Sequence, residues 1–196
     1  MVLCRQVPME EETRVDKWRK ECWANALHCF GYCHVYKRRL RRKQTFLRTI
    51  HFVGLGIPLV AGVAALTLGL TPPFILILEI LGIIQFVIYL AAIVFRLEEA
   101  VGTAQSAAND FESHSADFKE LAYTPPDDEK EFKLRFDKLA AAYAVTARIN
   151  TEQHIRPKDE RRAHRAGLRE FQRTCTACKI KPIDMKSTSC PICGQF

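Results

Sequence analysis

The residues of this 196-residue chain best suited to chemistry are four cysteines in its last 22 positions. Cys175 and Cys178 form one CxxC pair, Cys190 and Cys193 form a second, and eleven residues separate the two pairs. This arrangement matches the four-thiolate, tetrahedral ligand set of structural zinc. Four protein ligands leave no open coordination position, so we expect a structural rather than a catalytic Zn²⁺, in a zinc ribbon spanning residues 175–196.

The immediate surroundings of these cysteines support that interpretation. Gly194 follows Cys193, and a glycine there favours the tight turn that directs backbone N–H groups at sulfur. Metal binding would also supply the folding free energy that so short a segment lacks. Disulfide pairing is the alternative, which a reducing cytoplasm disfavours. The ligands leave open whether the ribbon binds a protein, binds a nucleic acid or only stabilises the C-terminal end of the chain.

The central stretch, residues 50–95, is long and apolar enough for two membrane-spanning helices. A hydrocarbon core about 30 Å thick requires roughly 20 apolar residues of helix. We predict spans at about 50–70 and 74–95, joined by the short turn 71–73. Glu79 is the only Asp, Glu, Lys or Arg in this stretch. The sequence therefore predicts an all-α membrane protein built around a two-transmembrane hairpin.

Charge on the N-terminal side predicts the orientation of that hairpin. Residues 1–49 hold 12 Lys and Arg against 5 Asp and Glu. Clustered basic residues beside a span stay in the cytoplasm and contact anionic lipid, so both termini are predicted to be cytoplasmic. Nucleic-acid binding is the less favoured interpretation of the cluster. Its members are Lys37, Arg38, Arg39, Arg41, Arg42 and Lys43.

Four polar residues of the second span and its end are candidates for a function inside the membrane. Gln85, Tyr89 and Arg96 lie on one helical stripe, and Glu79 lies on a face about 120° away. An ionisable residue within a bilayer is a functional candidate by default. One hypothesis is that one of these faces lines a gated polar path in a homo-oligomer. The alternative is ordinary hydrogen bonding between helices.

The flanking segments are predicted to be helical. Residues 1–49 contain an amphipathic and basic helix from about residue 10, whose stripe includes Cys22, Cys29 and Cys33. Packing on that stripe is favoured over a second metal cluster. Residues 96–155 form a helical hairpin, whose first helix continues the second span without a break. Residues 156–174 form a charged arm that acts as a spacer or docking segment.

The order of these features resembles that of a known group of membrane proteins. A Trp-bearing helix, a basic run, a tight two-span hairpin, RLEE at 96–99 and PPDDE at 125–129 are similar to the SLATT superfamily. That resemblance covers about residues 10–155 and implies a pore-forming or membrane-disrupting effector of bacterial conflict systems. The tail spacing resembles the mobile-element family described by a CxxCx(11)CxxC pattern. A zinc ribbon at the end is unusual for SLATT domains.

The favoured expectation is a membrane effector of an anti-phage or mobile-element conflict system, inactive until triggered. It would oligomerise to form a pore or disrupt the inner membrane. A membrane-anchored adaptor, whose ribbon recruits a protein or nucleic-acid partner, is the alternative. A mobile-element entry or exclusion factor is a third. The sequence contains no Gly-rich phosphate loop, GxSxG or catalytically spaced His and carboxylate, so we expect no enzyme and no catalytic residues.

Overall fold

The structure, a computed structural model, describes residues 14–68, 71–151 and 155–196. Within these ranges all regular structure is helical, which confirms the predicted α class. The five helices are α1 (Arg14–Leu68), α2 (Pro72–Val94), α3 (Leu97–Tyr123), α4 (Glu129–Thr151) and α5 (Pro157–Glu170). Residues 10–13 of the predicted first helix, positions 69–70 of the predicted first span and positions 152–154 lie outside the described residues.

The described chain forms two compact units, which we call the bundle unit and the hairpin unit. The bundle unit comprises the chain up to Val35 together with Ala107–Phe196, and the hairpin unit comprises Tyr36–Ser106. Helices α1 and α3 each contribute residues to both units.

The bundle unit has a core of aromatic and small side chains on α1, α3 and α4. Ser115 Oγ donates to the Ala26 carbonyl at 3.0 Å, and a serine and an alanine allow α3 and α1 to approach this closely. Helix α4 runs antiparallel to α3, with the Phe118 and Phe136 rings 6.3 Å apart. The predicted stripe of α1 is buried, since Cys22, Cys29 and Cys33 are all inside.

Helix α4 has apolar residues on two different faces. Phe132 is fully buried, whereas Leu134 is 71% exposed. Leu134 lies two residues further along the helix, and two residues turn an α-helix by about 200°. The side chain therefore projects away from the core.

The hairpin unit joins the C-terminal half of α1 to α2. Pro72 and Pro73 do not form a loop but occupy the first turn of α2, where a missing backbone N–H leaves no hydrogen bond unmade. Thr71 precedes them in an extended conformation, and its carbonyl accepts from the Ile75 N–H at 3.0 Å. None of the residues of α2 is buried.

The expected continuous helix from the second span into residues 96–122 is interrupted. Helix α2 ends at Val94, and Arg96 adopts a left-handed conformation with φ 46°. Its carbonyl then accepts from the Ala100 N–H at 3.0 Å, within the first turn of α3. No proline or glycine marks this break, which is why the sequence suggested continuity.

Candidate metal centre

The four C-terminal cysteines sit on two similar turns. The first turn closes where the Lys179 N–H donates to the Cys175 carbonyl at 2.9 Å. The second closes where the Gly194 N–H donates to the Cys190 carbonyl, also at 2.9 Å. The tail has no β-strand among its residues 175–196, all of which the structure describes. The predicted ribbon is therefore a pair of CxxC turns without a sheet.

Gly194 has a different role from the one that the sequence suggested. A Cβ atom at this position would collide with the carbonyl and the hydroxyl of Thr188. The left-handed residues are instead Lys179, with φ 57°, and Gln195, with φ 54°. Gly194 thus provides space for the chain at Thr188, while its neighbour Gln195 makes the sharp change of direction.

The cysteine sulfurs have the spacing of a tetrahedral metal site. All four Sγ atoms lie within 4.8 Å of one another, with 4.0 Å between Cys175 and Cys190 and 3.7 Å between Cys178 and Cys193. Four thiolates about 2.3 Å from one Zn²⁺ would be separated by about 3.8 Å. Three of the cysteines are buried and Cys178 is half-buried. The group could therefore hold a metal ion.

The turns also create the expected electrostatic environment for a thiolate. Backbone N–H groups of Cys193 and Ile192 point at the Cys190 sulfur and lower the pKa of that thiol to about 6. Burial, followed by hydrogen bonding with the neighbouring thiols, raises the pKa of Cys193. The second turn therefore favours the thiolate form of Cys190. The prediction that these turns aim N–H groups at sulfur holds for the second turn.

Arg165 of α5 is a buried cation that clamps the second turn, and sequence analysis missed it. Its side chain is only 7% exposed. The guanidinium donates to the Asp184 carbonyl at 2.9 Å, to Asp184 Oδ1 at 3.2 Å and to the Cys193 carbonyl at 3.3 Å. The Lys186 N–H, and then Arg165, lower the pKa of the Asp184 carboxyl. Arg165 thus joins the loop between the CxxC turns to Cys193, one of the four candidate metal ligands.

Two further arginines of α5 hold the end of the chain. Arg161 donates to the Gln195 carbonyl from Nε at 3.1 Å and from Nη2 at 2.9 Å. The Arg162 guanidinium lies 4.6 Å from the centre of the Phe196 ring. The segment 156–174 was predicted to be a charged spacer or docking segment, and three arginines of its helix contact the C-terminal tail. The mixed charge of the helix concealed this, because Arg165 is buried among the apolar residues of α5.

Helix α5 also packs tightly on α1. Leu27 and Leu168 form one buried cluster with Cys175, Cys190 and Cys193. Two glycines permit the close approach, since a Cβ at Gly31 would collide with the Ala163 backbone, and a Cβ at Gly167 would lie 2.7 Å from the Leu27 carbonyl oxygen. The spacing of four residues in Leu27–Gly31 and in Ala163–Gly167 is the sequence signal that could have revealed this antiparallel contact.

The cysteines of α1 are buried in the core of the bundle unit. Burial raises the pKa of Cys22 to about 11 and that of Cys29 to about 12, so both remain neutral thiols at physiological pH. Among the described residues, the C-terminal cysteines are the only group of three or more His, Cys, Asp and Glu placed to hold a metal.

The predicted membrane candidates all lie in the hairpin unit, but in different settings. Gln85 Nε2 donates to the Gly54 carbonyl at 2.7 Å, and a Cβ at Gly54 would collide with the Tyr89 hydroxyl. Gln85 and Tyr89 thus pack against α1 within one chain. Glu79 is exposed on α2, and Arg96 pairs with Glu99 at 2.9 Å.

The predicted basic cluster lies along α1 within the same unit. Lys43 Nζ donates to the Ala100 carbonyl at 3.2 Å, and the Arg39 guanidinium lies 5.7 Å from the centre of the Tyr36 ring. Arg41 and Arg42 are exposed, and Lys37 and Arg38 are partly exposed. The cluster therefore keeps cationic surface available beside the apolar half of the helix.

Together these features define the class as an all-helical protein with a four-cysteine cluster that could hold a metal ion. Two of its helices, Arg14–Thr67 and Pro72–Val94, are long and apolar enough to cross a membrane. The chain belongs to the mobilome CxxCx(11)CxxC protein family, whose model matches residues 19–196. No curated protein and no solved structure gives a significant match. The likeness to SLATT domains rests on the sequence features alone.

Proposed function

We propose that the protein is a two-span effector of the bacterial inner membrane that forms a pore or disrupts the bilayer when triggered, within an anti-phage or mobile-element conflict system. The observation that carries this proposal is the surface of α2. All of its residues from Pro72 to Val94 are at least partly exposed, and most of them are Ile, Leu, Val or Phe. Such a surface requires lipid or further copies of the chain around it.

Both termini are assigned to the cytoplasm. The Lys and Arg residues of 37–43 directly precede the apolar half of α1, and such clusters remain on the cytoplasmic side. The metal is assigned as a structural Zn²⁺, supported by the four-thiolate donor set and the sulfur spacing near that of a tetrahedron. This ion would tie the two CxxC turns together and would take no part in a reaction.

A homo-oligomer is part of the proposal, because one hairpin cannot enclose a pore. Gln85 and Tyr89 are occupied by contacts with Gly54 of their own chain. We therefore assign the polar path to the other face of α2, which carries Glu79 and Gly82. A carboxylate on an otherwise apolar span is costly unless it faces water or a partner, which favours a position between copies of the chain.

The test is an expression experiment in bacteria with a membrane-potential dye, run with and without the genomic neighbours of the protein. We expect depolarisation in the presence of the trigger and its loss in Glu79→Gln. Glu98→Gln is the matched control, since Glu98 is an exposed carboxylate of α3 outside the apolar span. Normal depolarisation by Glu79→Gln would remove Glu79 from the path, and no depolarisation under any condition would contradict the effector function.

A membrane-anchored adaptor is the second candidate, and an exposed apolar face of α4 favours it. Leu134, Val145 and Ile149 are 71%, 58% and 62% exposed. In this case a partner would be recruited to the membrane without any ion flow. Capture of a defined partner that is lost in Cys175→Ser, together with an unchanged membrane potential, would support the adaptor over the effector.

A further inference from the structure

The loop between the two CxxC turns presents two isoleucines to solvent. Ile180 is 65% exposed and Ile183 is 90% exposed, the largest value among the exposed large apolar residues that the structure describes. Leaving such apolar side chains in water is unfavourable, and polar side chains could occupy the same surface positions without this cost.

The loop that carries these isoleucines is anchored at its base. Pro182, between them, is buried. The Ile180 carbonyl accepts from the Cys175 N–H at 3.0 Å, and Arg165 holds the carbonyl of Asp184 at 2.9 Å. The isoleucine side chains therefore project from a loop that is anchored on both sides to the metal centre. The buried Pro182 and the two hydrogen bonds at the loop base account for their exposure.

The charge around the isoleucines favours an anionic partner. Lys179, Lys181 and Lys186 are exposed beside them. The sole acidic residue in the loop is Asp184, which is paired with Arg165 at 3.2 Å and is 4.0 Å from Lys186. Apolar tips flanked by lysines match the interfacial region of an anionic bilayer, where the tips enter the acyl boundary and the lysines meet headgroups.

A nucleic acid fits this loop less well. Binding to single strands relies on aromatic side chains that stack on bases, and residues 176–189 contain none. We propose that the tip of the metal module, residues 179–186, docks on an anionic lipid surface through Ile180 and Ile183. This inference rests on the proposed function in one respect, namely that the chain resides in a membrane.

The experiment uses the full-length protein in lipid nanodiscs with an environment-sensitive fluorescent amino acid and lipids carrying a quencher in their acyl chains. The probe replaces Ile183 in one sample and Ile84 of α2 in a second. A third sample carries it at Val145, an exposed apolar position on α4. Each sample is prepared in zwitterionic discs and in discs containing anionic phosphatidylglycerol.

We expect quenching at position 84 in both lipids, at position 183 only in anionic discs, and little at position 145. Each lysine near an anionic surface changes binding about fivefold. Lys179→Gln, Lys181→Gln and Lys186→Gln should therefore progressively weaken docking of the position-183 probe, as should 1 M salt, because a Debye length of about 3 Å screens the attraction.

The outcomes separate this inference from the proposed function. Absence of quenching at position 84 would contradict the membrane span itself. Quenching at position 84 without quenching at position 183 would overturn only the docking inference and indicate a protein or nucleic-acid partner for the loop. Equal quenching at 183 in both lipids would refute the role of the lysines, and equal quenching at 183 and 145 would show unspecific collapse onto the disc.

Discussion

Gln85 donates a hydrogen bond of 2.7 Å to the carbonyl of Gly54, a group that lacks its helical donor. In an α-helix that carbonyl would accept from the N–H of the residue four positions later, which here is Pro58. An unsatisfied carbonyl is costly in a bilayer, because no water is present to replace the missing donor. The Gln85 side chain of α2 thus supplies the hydrogen bond that Pro58 of α1 cannot donate.

This relationship can be tested by a double-mutant cycle. Gln85→Leu should destabilise the hairpin by about 1 kcal/mol, because it leaves the Gly54 carbonyl unpaired. In a Pro58→Ala background the alanine N–H can donate to the same carbonyl, so Gln85→Leu should cost clearly less. Unfolding in detergent measures both steps of the cycle. Equal costs in the two backgrounds would show that Gln85 does not compensate for the proline.

The contact between α1 and α5 should be sensitive to a single methyl group. Gly31→Ala would place a Cβ against the Ala163 backbone, and overpacking of this kind typically costs about 1–3 kcal/mol. Gly102→Ala is the matched control in α3, since no described atom lies within 4 Å of its Cβ position, and alanine there should stabilise by up to about 1 kcal/mol. Thermal unfolding followed by circular dichroism compares the two. The same midpoint for both variants would contradict the close approach.

Arg165 should support the metal site without being a ligand. Arg165→Met removes the hydrogen bonds to Asp184 and to the Cys193 carbonyl, and loss of such supporting contacts commonly weakens metal affinity 10–100-fold. A competition titration against a chelating dye measures the affinity. Arg173→Met, at an exposed position just beyond α5, should leave it unchanged. Similar affinities for the two variants would disprove the clamp.

A histidine pair between α1 and α5 should make this contact sensitive to acid. The rings of His28 and His164 lie 6.2 Å apart, burial lowers the pKa of both, and His28 lowers that of His164 further. A histidine with a lowered pKa in the folded state contributes stability that is complete above its ordinary pKa of 6.5 and is lost as pH falls below it. The free energy of unfolding should therefore decrease below pH 6.5.

The double variant His28→Asn with His164→Asn separates this effect from protonation of the cysteine ligands. The variant should have a shallower dependence of unfolding free energy on pH between about 6.5 and 5, while metal loss at lower pH remains. An unaltered slope in that range would assign the whole pH dependence to other groups.

The sequence was informative wherever a property depends on local pattern. The spacing of Cys175 to Cys193, the apolar stretch around Glu79 and the buried stripe with Cys22 all reflect local rules for ligands, membranes and helices. The contacts of Arg165 could not be recognised in this way, because Arg165 meets Asp184 and Cys193 only through tertiary structure. The break at Arg96 was missed for a related reason, since left-handed backbone at an arginine has no composition signal.

Removal of the metal from the full-length protein tests most directly whether the four-cysteine site is an integral part of the helical bundle. The measurement combines metal analysis with hydrogen exchange before and after chelation. We expect one Zn²⁺ per chain and, on its removal, faster exchange of amides in α5, whose Leu168 shares a buried cluster with three of the cysteines. Exchange in α2 should stay unchanged. A chain without bound metal, or an α5 whose protection survives chelation, would contradict the account.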